Sequence, residues 1–532
     1  MRTISPQDLR LMLDDGNELS ILDVREEGVF SCDGHLLLAS NVASSHLEMR
    51  VAALLPQKSV RIVVCDGGND GLAETSAKRL HDMGYSNVHV LDGGTRAWRE
   101  AGFRLYTGVY VPSKAFGEYI LHEDRPPEVT AEELHGWQRE GRDLVVLDSR
   151  PLDEFRRNSI PGAIDCPSAE LVYRAHDLVR SNDTVVVVNC GGRTRSIIGA
   201  QALINARFPH PVYALKDGTQ GWHLAGYSLD RGRTDEAPLP TEAGRRKSRE
   251  AAAQVAQRFG VRSLSVADLA KLQSDTSRTV YLLDVRSPAE FLEGHLPGSR
   301  SAPGGQLIQA TDTFLAVRHA AVVLIDDNGA RATTTAAWLA QMGWRDVFVL
   351  ENAFQGAALE RGPEREIVLN ADKLDVPVVS VQALRDLLDA GDAQVADLAP
   401  SLRYAEAHIP GAWHVVRSRL RGNLRKIPDA KRLVFTSSNG DILARFAATD
   451  AMALSAAPIA VLEGGTAAWA AAGLPFEKGL ERATGPTDDM MWKALDRPPA
   501  EREAAIREYL TWEVDLVDAT YTDPDFGFRR FG

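Results

Sequence analysis

Residues 185–188 are four valines in a row. A β-branched apolar run this short, bounded by polar residues, predicts a strand buried on both faces. A helical pattern follows from Ser196, in SIIGAQALINARF. The same alternation surrounds this pair. DLVVLDSR reads as a strand, ELVYRAHDLV as a helix and PVYALKD as a further strand. Strands and helices alternating at this pitch predict an α/β fold, a doubly wound parallel sheet flanked by helices. Such sheets bind ligands at the loops that follow the carboxyl ends of their strands.

The pattern recurs four times, with the same landmarks in the same order. Each copy opens with Ser or Thr before a helical stretch: TISPQDLRLML, VTAEELHGWQ, SLSVADLAKL and VVSVQALRDLL. These are helix N-cap positions. An apolar run ending in Asp follows, at Asp23, Asp148, Asp284 and Asp397. A turn comes next, carrying His35, Ser159, His295 and His408 in the four copies. Each copy closes with a strand and helix, of which VLDGGTRAWREAGF is the first. The landmarks predict four tandem domains, over 1–112, 126–232, 262–365 and 376–480. A linker with a helix covers 233–261, and a tail with a helical stretch and an aromatic end covers 481–532. The linker is the widest seam, so the expected arrangement is two tandem pairs, first with second and third with fourth. So many aromatics in the tail predict docking onto the body or onto a partner chain.

Counting places one loop in all four copies. Asp148 lies 42 positions before Cys190, Asp23 lies 42 before Cys65, Asp284 lies 42 before Asp326, and Asp397 lies 40 before Ser437. The loop after the four valines reads Cys190, Gly191, Gly192, Arg193, Thr194, Arg195, Ser196. A cysteine between a strand end and a helix start meets converging N–H groups and the positive helix end. Two arginines add full charges, and paired glycines let the backbone close round the sulfur. These features favour the thiolate and predict that Cys190 is a nucleophile in an anion-binding cradle. Ser196 serves equally well as an N-cap or as a hydrogen-bond donor to the anion. Asp148 and Arg150 are expected to form a structural salt bridge beside the site. The first copy has Asp66, Gly67, Gly68, Asn69 and Asp70 after Cys65, where two acids repel anionic donors and raise a thiol pKa. The fourth follows Ser437 with Ser438, Asn439, Gly440 and Asp441, without an arginine. The third keeps Arg331, which could still bind an anion.

A net charge of −13 excludes general binding to nucleic acid or to an acidic membrane. No apolar run reaches membrane-span length, and the segment after Met1 is polar, without a signal core. Four cysteines in 532 residues form neither a disulfide framework nor a paired metal-ligand spacing. A reducing, cytoplasmic location is therefore expected, with no metal or organic cofactor.

Together the Asp-Val-Arg strand ends, the His-Ile-Pro-Gly turns, the Cys-x4-Arg loop and the Gly-Gly-x3-Trp-x3-Gly helices resemble the rhodanese family over nearly all of residues 1–480. The resemblance implies a doubly wound α/β domain in each copy and a sulfurtransferase that carries sulfane sulfur as a persulfide. It matches Cys190 to the family nucleophile and residues 191–195 to the substrate cradle. It implies a small anionic sulfur donor such as thiosulfate and a thiol or protein-cysteine acceptor. Homo-oligomerisation is left open. Two rivals stand beside it. A phosphatase cradle has five residues between Cys and Arg, whereas Cys190 and Arg195 are separated by four. A sensor or scaffold built on mostly inactive copies would load sulfur once and not turn over.

Overall fold

The alternating pattern folds as four five-stranded parallel sheets with one strand order. This computed structural model describes residues 2–68, 70–438 and 440–531. Asn69 and Asn439, named above in the first and fourth loops, lie outside the described residues. In the second domain the strands are β1 (Glu128–Val129), β2 (Leu144–Asp148), β3 (Ile164–Asp165), β4 (Val185–Asn189) and β5 (Val212–Leu215). Their order is β1-β5-β4-β2-β3, all parallel, so β4 is central. Val185 and Val187 pack on one face with Val146, Phe155 and Trp222. Val186 and Val188 are buried on the other. That two-sided burial is why the run carries no polar residue.

The opening Ser or Thr of each copy caps its helix. Ser5 accepts from Asp8 N, Thr130 from Glu133 N, Ser265 from Asp268 N and Ser380 from Ala383 N. The turns are closed by antiparallel bridges, His35 with Tyr106, Ser159 with Asp230, His295 with Glu360 and His408 with Glu477. The three histidines also stack on Phe30, Phe291 and Tyr404. Ser159 keeps the backbone bridge without the ring, so the second domain retains the turn.

The expected tandem pairs are not what forms. One unit comprises Met1–Asp15, Ser20–Val109 and Glu366–Trp492, so the first domain pairs with the fourth. The other comprises Gly16–Leu19, Tyr110–Arg365 and Lys493–Gly532, pairing the second domain with the third. In the first unit, buried Arg417 bonds Glu48 at 2.7 and 3.0 Å and Asp450 at 2.8 Å. Beside it, Ser418 Oγ donates to buried Glu26 at 2.6 Å.

In the second unit, five helices matter to the site: α1 (Val111–Glu123), α2 (Thr194–Asn205), α3 (Glu242–Phe259), α4 (Ala330–Gln341) and α5 (Pro499–Thr522). The supposed separator is α3, and it joins the two domains. Its Ala251, Ala252, Val255 and Phe259 are buried. Thr241 N donates to Asp177 at 2.6 Å and Arg258 to Asn205 at 2.8 Å, both in the second domain. Ser248 donates to Asn328 of the third domain at 3.0 Å. A charged, Ala-rich stretch reads as linker because its apolar face is made of small residues. The tail docks here too: Phe528 packs on Phe116 and Tyr119, and Arg530 bonds Glu123 at 2.6 Å. Among the described residues, no helix is long and apolar enough to cross a membrane.

Candidate active site

Cys190 follows directly on β4, at the carboxyl end of the central strand, and is 2% exposed. The closing helix of the domain fastens the loop. Thr219 N donates to Cys190 O at 2.9 Å and Gln220 N to Gly191 O at 3.1 Å. Gly218 makes this approach possible: it has φ +55°, and a Cβ there would lie 2.3 Å from Cys190 O. The glycine landmark of the closing helix serves the loop, not the helix, in the first, second and fourth domains, whereas the third has Ala353 at this place and turns instead of the expected closing helix. Helix α2 starts at Thr194, two residues earlier than its sequence pattern suggests. Ser196 thus lies inside the first turn. Its Oγ donates to Arg193 O at 2.7 Å and accepts from the Cys190 thiol at 3.6 Å.

The two loop arginines have different surroundings. Arg195 donates to Glu154 Oε2 at 2.7 Å and to Gln306 Oε1 of the third domain at 3.4 Å. Burial opposes its charge, but Glu154 and then the nearby Cys190 raise its pKa above the usual value. Burial likewise pushes the Glu154 carboxyl up, yet Arg195, with Lys493 and Arg150, holds it down at about 2. Arg193 is committed to carboxylates, Glu118 of α1 at 2.6 and 3.0 Å and Asp217 at 2.8 Å. Asp148 and Arg150 form a buried two-point pair at 2.7 and 2.8 Å, and Arg150 also holds the turn through Asn158 O at 2.6 Å.

Helix α5 closes over the loop. Thr194 Oγ1 donates to the fully buried Glu513 at 2.8 Å, and Lys114 of α1 pairs with the same carboxylate at 2.8 Å. A Cβ on Gly192 would sit 3.1 Å from Glu513 and 3.2 Å from Tyr509, so glycine leaves room for the tail helix. None of Glu118, Glu154, Gln306, Tyr509 or Glu513 was reached from sequence. Glu154 had a signal, since Glu290 stands at the same distance after its strand-end Asp. The others come from outside the repeat unit or from a neighbouring copy.

The loops of the other domains correct two expectations. Counting sets Cys65 against Cys190, but the backbone does not. Val24 N donates to Cys65 O as Ser149 N donates to Asn189 O, and Thr95 N donates to Asp66 O as Thr219 N donates to Cys190 O. Cys65 therefore ends its strand where Asn189 does, and Asp66 stands in the place of Cys190. The first domain carries one extra residue between Asp23 and this point. The Cys65 thiol is buried in the sheet, which pushes its pKa well above the usual range, and Asp23 adds to this. Asp66 accepts from Gly68 N at 2.7 Å and Ala73 N at 2.9 Å. In the third domain Asp326 accepts from Asn328 N at 3.4 Å, Arg331 N at 2.8 Å and Ala332 N at 3.3 Å. Arg331 is not open to an outside anion. Its guanidinium is wholly buried among Asp326 at 3.0 Å, Glu290 at 2.7 Å, Asp327 at 2.6 Å and Glu170 of the second domain at 3.0 Å. In the fourth domain Ser437 donates to Gly440 O at 3.0 Å. Cys166 is buried and Cys32 exposed.

The profile of a family described as Rhodanese-like domain matches residues 5–101, 130–225, 265–359 and 380–472. A crystal structure of a thiosulfate sulfurtransferase from Pseudomonas aeruginosa superposes with a TM-score of 0.95 at 43% identity, covering 100% of both chains. Two curated relatives match single stretches. An HTH-type transcriptional regulator of Mycobacterium tuberculosis is 35% identical over 96 residues, 18% of this chain and 41% of that protein. The uncharacterized protein YibN of Escherichia coli is 35% identical over 92 residues, 17% of this chain and 64% of that protein. The chain thus spans less than two thirds of the length of each of these two.

Proposed function

This chain belongs to the rhodanese-like domain family, and we propose that it is a sulfurtransferase whose chemistry runs through Cys190. The carrying observation is the full-length similarity to a thiosulfate sulfurtransferase. It is supported by the loop itself, since Cys190 is the one cysteine at this structural position in the four domains. The proposed donor is an anion such as thiosulfate. The Cys190 thiolate attacks its outer sulfur, the S–S bond breaks, and sulfite leaves with the bonding electron pair. Cys190 is left as a persulfide. Cyanide or a thiolate then attacks the terminal sulfur, takes it away and restores the cysteine thiolate, so the kinetics are ping-pong.

The residues divide the work. Arg195 supplies the charge that stabilises the anion and the developing thiolate. The N–H groups of Gly192, Arg195 and Ser196 are the equivalents of those that Asp326 occupies in the third domain, and they receive the donor's oxygens or the persulfide. Ser196 Oγ hydrogen-bonds the sulfur. Gly191 and Gly192 let the loop close. Arg193, Thr194 and the Asp148–Arg150 pair position the loop. A protein that loads sulfur once, as a carrier or sensor, is the second reading. It draws on the three loops that lack a cysteine at this place.

Intact mass after brief exposure to thiosulfate tests the reading. One added sulfur is expected on wild type, none on Cys190→Ser, and cyanide removes it over repeated cycles. Sulfur gained by Cys190→Ser would transfer the role to another cysteine. Loading without turnover would favour the carrier.

A further inference from the structure

The second and third domains meet through equivalent residues at one constant offset in sequence. Glu154 corresponds to Glu290, Glu170 to Gln306, Cys190 to Asp326 and Arg195 to Arg331. The contacts are reciprocal. Each domain lends a side chain to the loop arginine of the other: Glu170 reaches Arg331 at 3.0 Å, and Gln306 reaches Arg195 at 3.4 Å. Each arginine also keeps its own glutamate, Glu154 at 2.7 Å and Glu290 at 2.7 Å.

The exchange is symmetric in position and asymmetric in charge. Arg331 receives four carboxylates, from Asp326, Asp327, Glu290 and Glu170. Arg195 receives one carboxylate, Glu154, and the neutral amide of Gln306. Gly191 stands where the third domain has Asp327. An amide oxygen orients a guanidinium as a carboxylate does, by accepting its N–H, but it adds no negative charge to the cavity. A carboxylate at the same place would oppose the field that draws a donor anion to the sulfur.

We infer that Gln306, contributed by the third domain, is a positioning residue that orients Arg195 while leaving its charge available to the sulfur donor. The third domain, without a nucleophile of its own, is then part of the donor-binding site of the second. This rests on the sulfurtransferase reading above.

The test uses the full-length protein with cyanide as acceptor and two donors, the thiosulfate dianion and the benzenethiosulfonate monoanion. For Gln306→Glu, kcat/KM for thiosulfate falls at least about tenfold while kcat at saturating donor stays within about twofold, because weaker anion binding raises KM. The fall is smaller with the monoanion. Gln306→Leu, which removes the acceptor and adds no charge, lowers kcat/KM for both donors alike because Arg195 loses its orienting contact, and decides the matter if the glutamate variant does not fold. Unchanged donor kinetics in both variants, or equal losses for both donors in Gln306→Glu, would overturn the inference while wild-type turnover stands. A wild type that takes sulfur from neither donor would remove the sulfurtransferase reading, and the inference with it.

Discussion

The loop after Asn189 and the loop after Ile325 share a strand end, a helix start, an arginine and a glutamate in register. They differ in what lies at the centre. In the second domain it is a thiol beside a guanidinium with one carboxylate. In the third it is a carboxylate that takes the loop's N–H groups and buries its own arginine. The first domain reaches the same result without an arginine, since Asp66 takes the N–H groups of Gly68 and Ala73. An anion-binding loop that loses its substrate still carries converging N–H groups in a buried place, and these require an acceptor. Aspartate at the nucleophile's position supplies one from within. The loops of the first and third domains are therefore filled, and the loop of the second differs by keeping the anion place free of its own carboxylates.

The largest expected effect concerns the filled loop. Arg331→Ala leaves Asp326, Asp327, Glu290 and Glu170 clustered without their cation, which costs about 3–5 kcal/mol in denaturant unfolding. An unchanged unfolding midpoint would mean that the cluster is neutral without its arginine. Next, Arg195→Ala is expected to lower kcat/KM for thiosulfate about a hundredfold, the size of one lost anion-stabilising donor. Steady-state kinetics check this, and a loss under about threefold would return the charge-stabilising role to Arg193.

A third contrast lies at the strand ends. Asp23, Asp148 and Asp284 each pair with an arginine two residues on, but Asp397 has Ala399 there. Burial pushes the Asp397 carboxyl up to about 7. A folded-state pKa raised above the unfolded value favours the neutral acid. The contribution is fully present below about pH 4 and lost as pH rises through 7. Stability of the unit holding the fourth domain should fall by about 4 kcal/mol across that window. Asp397→Asn should flatten the profile in thermal melts at stepped pH. The smallest expected effect is none at all. Asp326→Cys leaves Asp327, Glu290 and Glu170 round Arg331, so mass spectrometry should still find one sulfur per chain. A second would show that the nucleophile alone separates the two loops.

The repeat was legible because each landmark has a local cause: a cap, a two-sided strand, a turn bridge, a glycine under the loop. Cys190 and its loop were legible for the same reason. Counting failed by one at Cys65 because spacing does not report an inserted residue, whereas the strand register does. The pairing of first with fourth and second with third was out of reach. It depends on Arg417 meeting Glu48 and on the small-residue face of α3, contacts between distant stretches with no periodic signature. Glu118, Tyr509 and Glu513 escaped for that reason too.

The two domain pairs, second with third and first with fourth, are nested in the sequence like one bracket inside another, and this sets an order in time. Arg417 and Glu48 are separated by 369 positions. At about 5–20 residues per second, a ribosome needs roughly 20–75 s to make that interval. The first domain emerges first and completes its unit late, holding Glu26 and Glu48 without their cross-domain partners while the whole inner pair is made. The inner pair gains its third-domain contacts earlier but receives Tyr509 and Glu513 after nearly everything else. The loop that carries the cysteine is thus covered by the tail helix only when nearly the whole chain has been made.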